Sequence, residues 1–78
     1  MRLPQVSSHT LIKKFKRIGY QDAPFQGKGS HVAPYKDADG TKLPVFIPKR
    51  DPIPIGTLIS IMKQARMERD EFYLFLTS

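Results

Sequence analysis

Asp37-Ala38-Asp39-Gly40 is the stretch that decides the fold, because it predicts a tight reversal between two strand-like segments. Asp-Gly tolerates the positive φ angles that two-residue hairpin turns require. Ser30 to Lys36 precedes the turn and Thr41 to Ile47 follows it, and both are predicted as strands. The second strand carries apolar residues at alternate positions, namely Leu43, Val45 and Ile47. One face of the hairpin is therefore expected to be core.

A further strand is predicted before the hairpin, over Tyr20 to Phe25, where Pro24 favours an edge position or a bulge. Pro34 and Pro44 also lie inside the two hairpin strands. Proline has no N–H to give to a ladder. Either each proline directs its missing donor away from the ladder, or these strands are shorter and bulged. With all three strands, we expect a three-stranded antiparallel sheet.

A helix over residues 8–18 is predicted before the strands. Its apolar positions recur at helical spacing, at Leu11, Ile12, Phe15 and Ile18. Ser7 or Ser8 can cap its start, and Gly19 is a candidate for the residue that closes it. Lys13, Lys14 and Arg17 lie on its solvent side and are candidates for contacts with phosphates. The alternative is that such cations only solvate the helix and complement its dipole.

A second helix is predicted after the strands, over residues 55–66, with apolar residues three and four positions apart. A polar break from Arg66 to Asp70 leads into a last helical turn or two, in which Phe72 and Leu76 pair at i, i+4. The order helix, three strands, helix and short helix predicts one α+β domain spanning residues 1–78, with helices on one face of the sheet.

The charge is unevenly distributed. The chain of 78 residues has a net charge of +6; residues 1–50 carry ten Lys or Arg and three Asp, whereas residues 51–78 carry three basic and four acidic residues. A positive field of this kind attracts polyanions, above all nucleic acid. A basic face that only keeps the protein soluble is the alternative.

Several classes of function are disfavoured by what the sequence lacks. The chain has no cysteine, which excludes disulfides, thiolate nucleophiles and cysteine-ligated zinc. The two histidines lie 22 positions apart and suggest no metal site, so we expect no cofactor. No apolar run approaches the ~20 residues needed to span a bilayer, and Met1 to Ser8 is no signal peptide. We expect a cytoplasmic protein that does not bind membranes.

Gly27-Lys28-Gly29-Ser30-His31 is the best candidate for chemistry. Histidine titrates near neutrality, so His31 is suited to take the proton from a ribose 2′-hydroxyl as that oxygen attacks the adjacent phosphodiester. Lys28 and Lys36 are the nearest cations along the chain and are candidates for contacts with the phosphate. Alternatively, His31 merely fills a strand position. Ser30 is disfavoured as a nucleophile because neighbours on a strand point to opposite faces.

The chain resembles the HicA toxin family over nearly its whole length, from about Leu11 to Leu76. The resemblance rests on Gly29-Ser30-His31, Asp39-Gly40, Ile47-Pro48, the run Gly56-Thr57-Leu58-Ile59-Ser60-Ile61-Met62-Lys63-Gln64-Ala65, and Glu71-Phe72. The Gly-Thr-Leu start and Lys-Gln-Ala end of the long run are its most distinctive part. Glu68 departs from the family pattern, in which a serine or similar helix cap is common.

The resemblance implies a fold and a function. HicA-like proteins are ribosome-independent mRNA interferases with a fold similar to the double-stranded-RNA-binding domain, in the order helix-strand-strand-strand-helix. The family's catalytic histidine maps onto His31, and the implied partner is a HicB-like antitoxin that blocks the active site. The expected function is therefore that of a metal-independent endoribonuclease toxin. A non-catalytic RNA-binding module and a purely protein-binding domain are the alternatives.

Overall fold

The computed structural model describes residues 2–22 and 31–78. The elements in chain order are α1 (Ser8–Arg17), β1 (His31–Val32), β2 (Tyr35–Ala38), β3 (Thr41–Pro44), β4 (Ile47–Pro48), α2 (Ile55–Gln64) and α3 (Arg69–Thr77). This order confirms the predicted α+β class. The predicted turn at Gly27–Gly29, the predicted strand residues from Ala23 to Phe25, and Ser30 at the start of the next predicted strand lie outside the described residues.

The predicted hairpin is confirmed. β2 and β3 pair antiparallel, with Tyr35 opposite Pro44 at one end and Ala38 opposite Thr41 at the other. Asp39 and Gly40 connect them with φ angles of 52° and 80°. Two consecutive positive φ angles are the signature of a type I′ turn, whose twist matches that of the flanking strands. The Asp-Gly pair therefore sets the register of the whole hairpin.

Each predicted hairpin strand is interrupted once. β1 pairs antiparallel with β4, placing Val32 opposite Ile47 in the same register that β2 and β3 follow. Between the two paired segments, Val45 N–H donates to the Pro34 carbonyl at 2.9 Å. Pro34 has no N–H to return. From His31 onward, the predicted strands Ser30 to Lys36 and Thr41 to Ile47 are therefore corrected to two pairs of short strands.

The predicted three-stranded sheet is also corrected. In the described part of the chain, Gln21 forms a single antiparallel bridge with Tyr35, and each N–H donates to the other's carbonyl at 2.9 Å. Because both backbone groups of Tyr35 face Gln21, its pairing with Pro44 is of the non-hydrogen-bonded kind. The missing N–H of Pro44 thus falls on the side away from β2, so this proline leaves the ladder intact, unlike Pro34.

The boundaries of α1 follow the predicted capping residues. Ser7 is the N-cap, and its Oγ accepts the Thr10 N–H at 3.2 Å. Gly19 follows the C-cap with a φ of 105°. Tyr20 N–H then donates to the Phe15 carbonyl at 3.0 Å, and Gly19 N–H donates to the Lys16 carbonyl at 3.1 Å. This pair of bonds is the Schellman motif, for which glycine is the usual residue.

The C-terminal helices differ from prediction at their junction. α2 ends at Gln64, two residues before the predicted end, while α3 begins at Arg69, inside the predicted polar break. Glu68 is the N-cap of α3 and forms a capping box with Glu71, whose Oε1 accepts the Glu68 N–H at 3.3 Å. This reciprocal bonding stabilises the start of α3 at Glu68.

The core lies between the helices and one face of the hairpin. Phe15 is fully buried, and its ring lies 4.8 Å from the rings of both Tyr20 and Phe75, measured between centroids. Val45 and Ile47 are fully buried as well, whereas Phe46 between them is 52% exposed. The predicted alternation is confirmed at these positions. The helices thus cover one face of the hairpin and leave the Phe46 side open.

Candidate functional site

His31 is the first residue of β1, and its backbone lies opposite Pro48 of β4. Two short strands in the hairpin register therefore hold its backbone. Lys28, the nearest predicted phosphate contact, lies outside the described residues.

Lys36 occupies a different part of the hairpin. It lies on β2, opposite Leu43, and its side chain is exposed. At about 3.3 Å per residue, the five positions from His31 to Lys36 correspond to roughly 16 Å along the strand direction. The described backbone therefore does not bring Lys36 beside His31. A single RNA strand could contact both residues only through nucleotides several positions apart.

The three predicted cations of α1 have different surroundings. Lys13 and Arg17 are exposed and lie four residues apart, which places them side by side on one face of the helix. Lys14 is only partly exposed, and its Nζ donates to the Ser78 carbonyl oxygen at 2.8 Å. Lys13 and Arg17 are thus available for a phosphate backbone, whereas Lys14 joins α1 to the end of the chain.

A cleft of about 390 Å³ lies between the end of α1, the β2–β3 hairpin and the junction of α2 and α3. Its lining includes Ile18, Tyr20, Lys36, Leu43, Arg66 and Met67. We call it the Lys36–Arg66 cleft after its two cations. Ile18 is 45% exposed and, with Leu43 and Met67, gives the cleft an apolar wall. A cavity of this size with two cations and an apolar side suits a small anionic group attached to an apolar one.

Tyr20 also lines the cleft, and its side chain is largely buried. Its ring is buried against Phe15 in an edge-on arrangement. Burial raises the pKa of the Tyr20 hydroxyl above its ordinary value, because the phenolate would be poorly solvated. The hydroxyl therefore stays protonated at neutral pH.

This shift predicts how stability depends on pH at the alkaline end. The unfolded chain loses the Tyr20 proton at a lower pH than the folded chain, so the contribution to stability is full below a pH of about 10 and falls as the pH rises through the folded pKa. We expect the Tm of the Tyr20→Phe protein to fall less steeply than that of the wild type above about pH 10, measured by circular dichroism. Equal slopes for the two proteins would contradict the burial of the hydroxyl.

The open face of the hairpin carries a second group of exposed or partly exposed side chains. Lys42 Nζ lies 5.0 Å from the centroid of the Tyr35 ring, within the range of a cation–π interaction. Phe46 lies four residues after Lys42 and its side chain is exposed. Its backbone N–H donates to Gln64 Oε1 at 2.8 Å. Exposed aromatic rings beside a cation are typical of surfaces on which unpaired bases stack.

Arg66 is the residue that sequence reasoning missed, since the polar run around it predicted only a break between helices. The position of Arg66 relative to the end of the predicted helix was the available indication. Arg66 follows the Lys63-Gln64-Ala65 helix end, at the place where a glycine commonly closes a helix. The backbone of a residue at that place is held in one conformation relative to the helix end.

Two further features concern ligands and membranes. Over residues 2–22 and 31–78, no group of three or more His, Asp or Glu side chains is placed to hold a metal ion. No helix in the same ranges is both long and apolar enough to cross a bilayer.

Comparison with known proteins identifies a family for most of the chain. The family model described as HicA toxin of bacterial toxin-antitoxin matches residues 8–67, a span that runs from the start of α1 into the α2–α3 junction and contains Gly29-Ser30-His31. Neither the curated proteins nor the solved structures yield a match.

Proposed function

The chain belongs to the HicA toxin family, and from that premise we propose that it is a metal-independent endoribonuclease that cleaves mRNA with His31 as its catalytic residue. Family membership makes it a toxin of a toxin-antitoxin system, whose partner is an antitoxin. The proposal further takes residues 1–78 as one cytoplasmic toxin domain with a fold similar to the double-stranded-RNA-binding domain.

One observation carries this proposal: the family match covers the Gly-Ser-His motif together with α1 before it and the hairpin strands and α2 after it. The tripeptide therefore lies within the span matched by the family model, which supports reading it as the family's motif. The RNA substrate is further supported by the net charge of +6 and by the exposed Lys13 and Arg17 on one face of α1.

The proposed reaction needs only groups that RNA and one histidine supply. The neutral imidazole of His31 takes the proton of a ribose 2′-hydroxyl as the 2′-oxygen forms a bond to the adjacent phosphorus. The bond from phosphorus to the 5′-oxygen breaks, that oxygen takes a proton from water, and the imidazolium of His31 returns its proton to the solvent. The products are a 2′,3′-cyclic phosphate on one fragment and a 5′-hydroxyl on the other. DNA lacks the 2′-hydroxyl and cannot undergo this reaction.

Cleavage in the presence of EDTA tests the proposal. We expect the purified toxin, freed of its antitoxin, to cut a labelled single-stranded RNA equally well with and without EDTA, and to leave 2′,3′-cyclic phosphate ends detectable by mass spectrometry. The same sequence made as DNA is the matched control and should stay intact.

Three outcomes separate the alternatives. Cleavage that needs added Mg²⁺ would contradict the histidine mechanism. RNA binding that weakens with salt but yields no fragments would favour a non-catalytic RNA-binding module. An absence of any RNA affinity would favour a domain that binds only protein.

A further inference from the structure

Two helices of this chain end in the same motif with different residues at its key position. At the end of α1, Tyr20 N–H bonds to the Phe15 carbonyl across Gly19. At the end of α2, Met67 N–H bonds to the Met62 carbonyl at 3.1 Å across Arg66, and Arg66 N–H bonds to the Lys63 carbonyl at 3.1 Å. Both ends are Schellman motifs. Arg66 thus stands in α2 where Gly19 stands in α1.

Arginine destabilises the backbone at this position relative to glycine. The φ of Arg66 is 58°, a left-handed conformation that disfavours residues with a Cβ atom and that glycine adopts freely. The chain uses glycine at the equivalent place in α1, so the motif itself does not demand a side chain. Non-glycine residues held in the left-handed region cluster at functional sites, where the side chain has a role that maintains the strained conformation.

The Arg66 side chain lines the Lys36–Arg66 cleft together with Lys36. Within residues 2–22 and 31–78, neither the guanidinium of Arg66 nor the ammonium of Lys36 has a hydrogen bond or ion pair. Glu71 also lines the cleft, but its Oε1 accepts the Glu68 N–H in the capping box of α3. Among the residues that the structure describes, Lys36 and Arg66 thus line one cleft whose single carboxylate, Glu71, leaves it with a net charge of +1.

We propose that the Lys36–Arg66 cleft binds a phosphodiester of the RNA substrate, with Arg66 as the residue that holds the phosphate. Arginine presents a planar fork of N–H donors that matches two phosphate oxygens, and Lys36 adds a second charge. The apolar wall of Ile18, Leu43 and Met67 lies where an attached nucleoside would pack. This site is separate from His31 and rests on the proposed function for the identity of its ligand.

Replacing Arg66 with glycine separates the effect of the arginine on backbone stability from its effect on RNA binding. The variant is made in a His31→Ala background, so that RNA is bound without being cut. We expect Tm to rise by about 4 °C, because glycine relieves the backbone strain. Affinity for a short fluorescein-labelled single-stranded RNA, measured by anisotropy at low salt, should fall about tenfold, and the slope of log Kd against log salt should decrease by roughly 0.7. A merely structural arginine would not lower affinity while raising stability.

Three matched controls accompany this variant. Lys63→Gln removes the same charge from an exposed position on the last turn of α2 and should change RNA affinity less than twofold by our proposal. Gly19→Ala adds a Cβ atom at the equivalent position of α1, where no atom lies within 4 Å, and should lower Tm through backbone conformation alone. A polyglutamate peptide replaces the RNA in a parallel titration.

The outcomes are decisive in each direction. RNA affinity unchanged in Arg66→Gly, or lowered equally in Lys63→Gln, overturns the cleft as a phosphate site. Loss of polyglutamate binding with RNA binding intact assigns the cleft to an acidic polypeptide and overturns the proposal too. Any of these results leaves the proposed function standing if the wild type still cuts RNA in EDTA, so the two failures are distinguishable.

Discussion

Replacing His31 with alanine is expected to lower the rate of RNA cleavage by about a hundred- to ten-thousand-fold, the range contributed by a positioned general acid or base. Alanine leaves no group in the side chain that can take a proton from the 2′-hydroxyl. The measurement is the initial rate of fragment formation from a labelled RNA in EDTA. Expression of the same variant without the antitoxin should no longer inhibit growth.

His9→Ala is the matched control for this prediction. It removes the other histidine of the chain, an exposed residue in the first turn of α1, and we expect cleavage to stay within about twofold of the wild type. The His31→Ala protein should keep its far-ultraviolet circular dichroism spectrum and its affinity for RNA. A His31→Ala protein that cuts RNA as fast as the wild type would remove His31 from the reaction.

Replacing Phe15 with alanine is expected to destabilise the protein by about 3–5 kcal/mol, the usual effect of deleting a buried aromatic ring. Phe15 is fully buried between Tyr20 and Phe75, so the substitution removes contacts that join α1 to α3. A domain of this size has a free energy of unfolding of about 4–12 kcal/mol, at roughly 0.05–0.15 kcal/mol per residue. Thermal denaturation should therefore show a fall in Tm of at least about 12 °C.

Phe46→Ala removes the same ring from an exposed place and is the control for Phe15→Ala. Phe46 is 52% exposed, and the hydrogen bond from its N–H to Gln64 survives the substitution because it uses the backbone. We expect a change in the free energy of unfolding within about 0.5 kcal/mol. Similar losses for the two variants would contradict the observed packing of α1 against α3.

Much of the fold could be predicted from local patterns. The Asp39-Gly40 pair identified the turn because few residues other than Gly, Asn and Asp accept a positive φ. Ser7 and Gly19 identified the ends of α1 for similarly local reasons. The alternation at Val45, Phe46 and Ile47 placed the core face of the hairpin correctly, since strand side chains alternate between faces wherever one face is buried.

The errors arose where a residue's effect depends on its partner across space. Pro34 and Pro44 look alike in the sequence, yet Pro34 marks an interruption while Pro44 stays in register. The nitrogen of Pro34 faces the opposite strand, where an N–H would bond, whereas the nitrogen of Pro44 faces away from it. The bridge from Gln21 to Tyr35 shows this, because it uses both backbone groups of Tyr35 on the side away from Pro44. The early start of α3 likewise depends on the capping box between Glu68 and Glu71, because that box stabilises a helix start within a polar run.

The candidate site divides in the same way. His31 was identified by resemblance to the family, and it remains a proposal that the cleavage assay tests. Lys36 was chosen because it is near His31 in the sequence, but the register places it farther along the hairpin and in a cleft with Arg66. No sequence spacing could have paired Lys36 with Arg66, since they lie 30 residues apart on different elements.

The sequence by itself determined the class of fold, the hairpin turn, the capping of α1 and the family, because each depends on local conformation or on a motif read along the chain. Only the tertiary structure decided which cations stand free and which are engaged. Lys14 donates a hydrogen bond to the Ser78 carbonyl oxygen, and Lys16 pairs with Asp22 at 2.9 Å. Lys36 and Arg66 line the same cleft. The physical reason is that charge acts through space, so its partners are set by packing rather than by order in the chain.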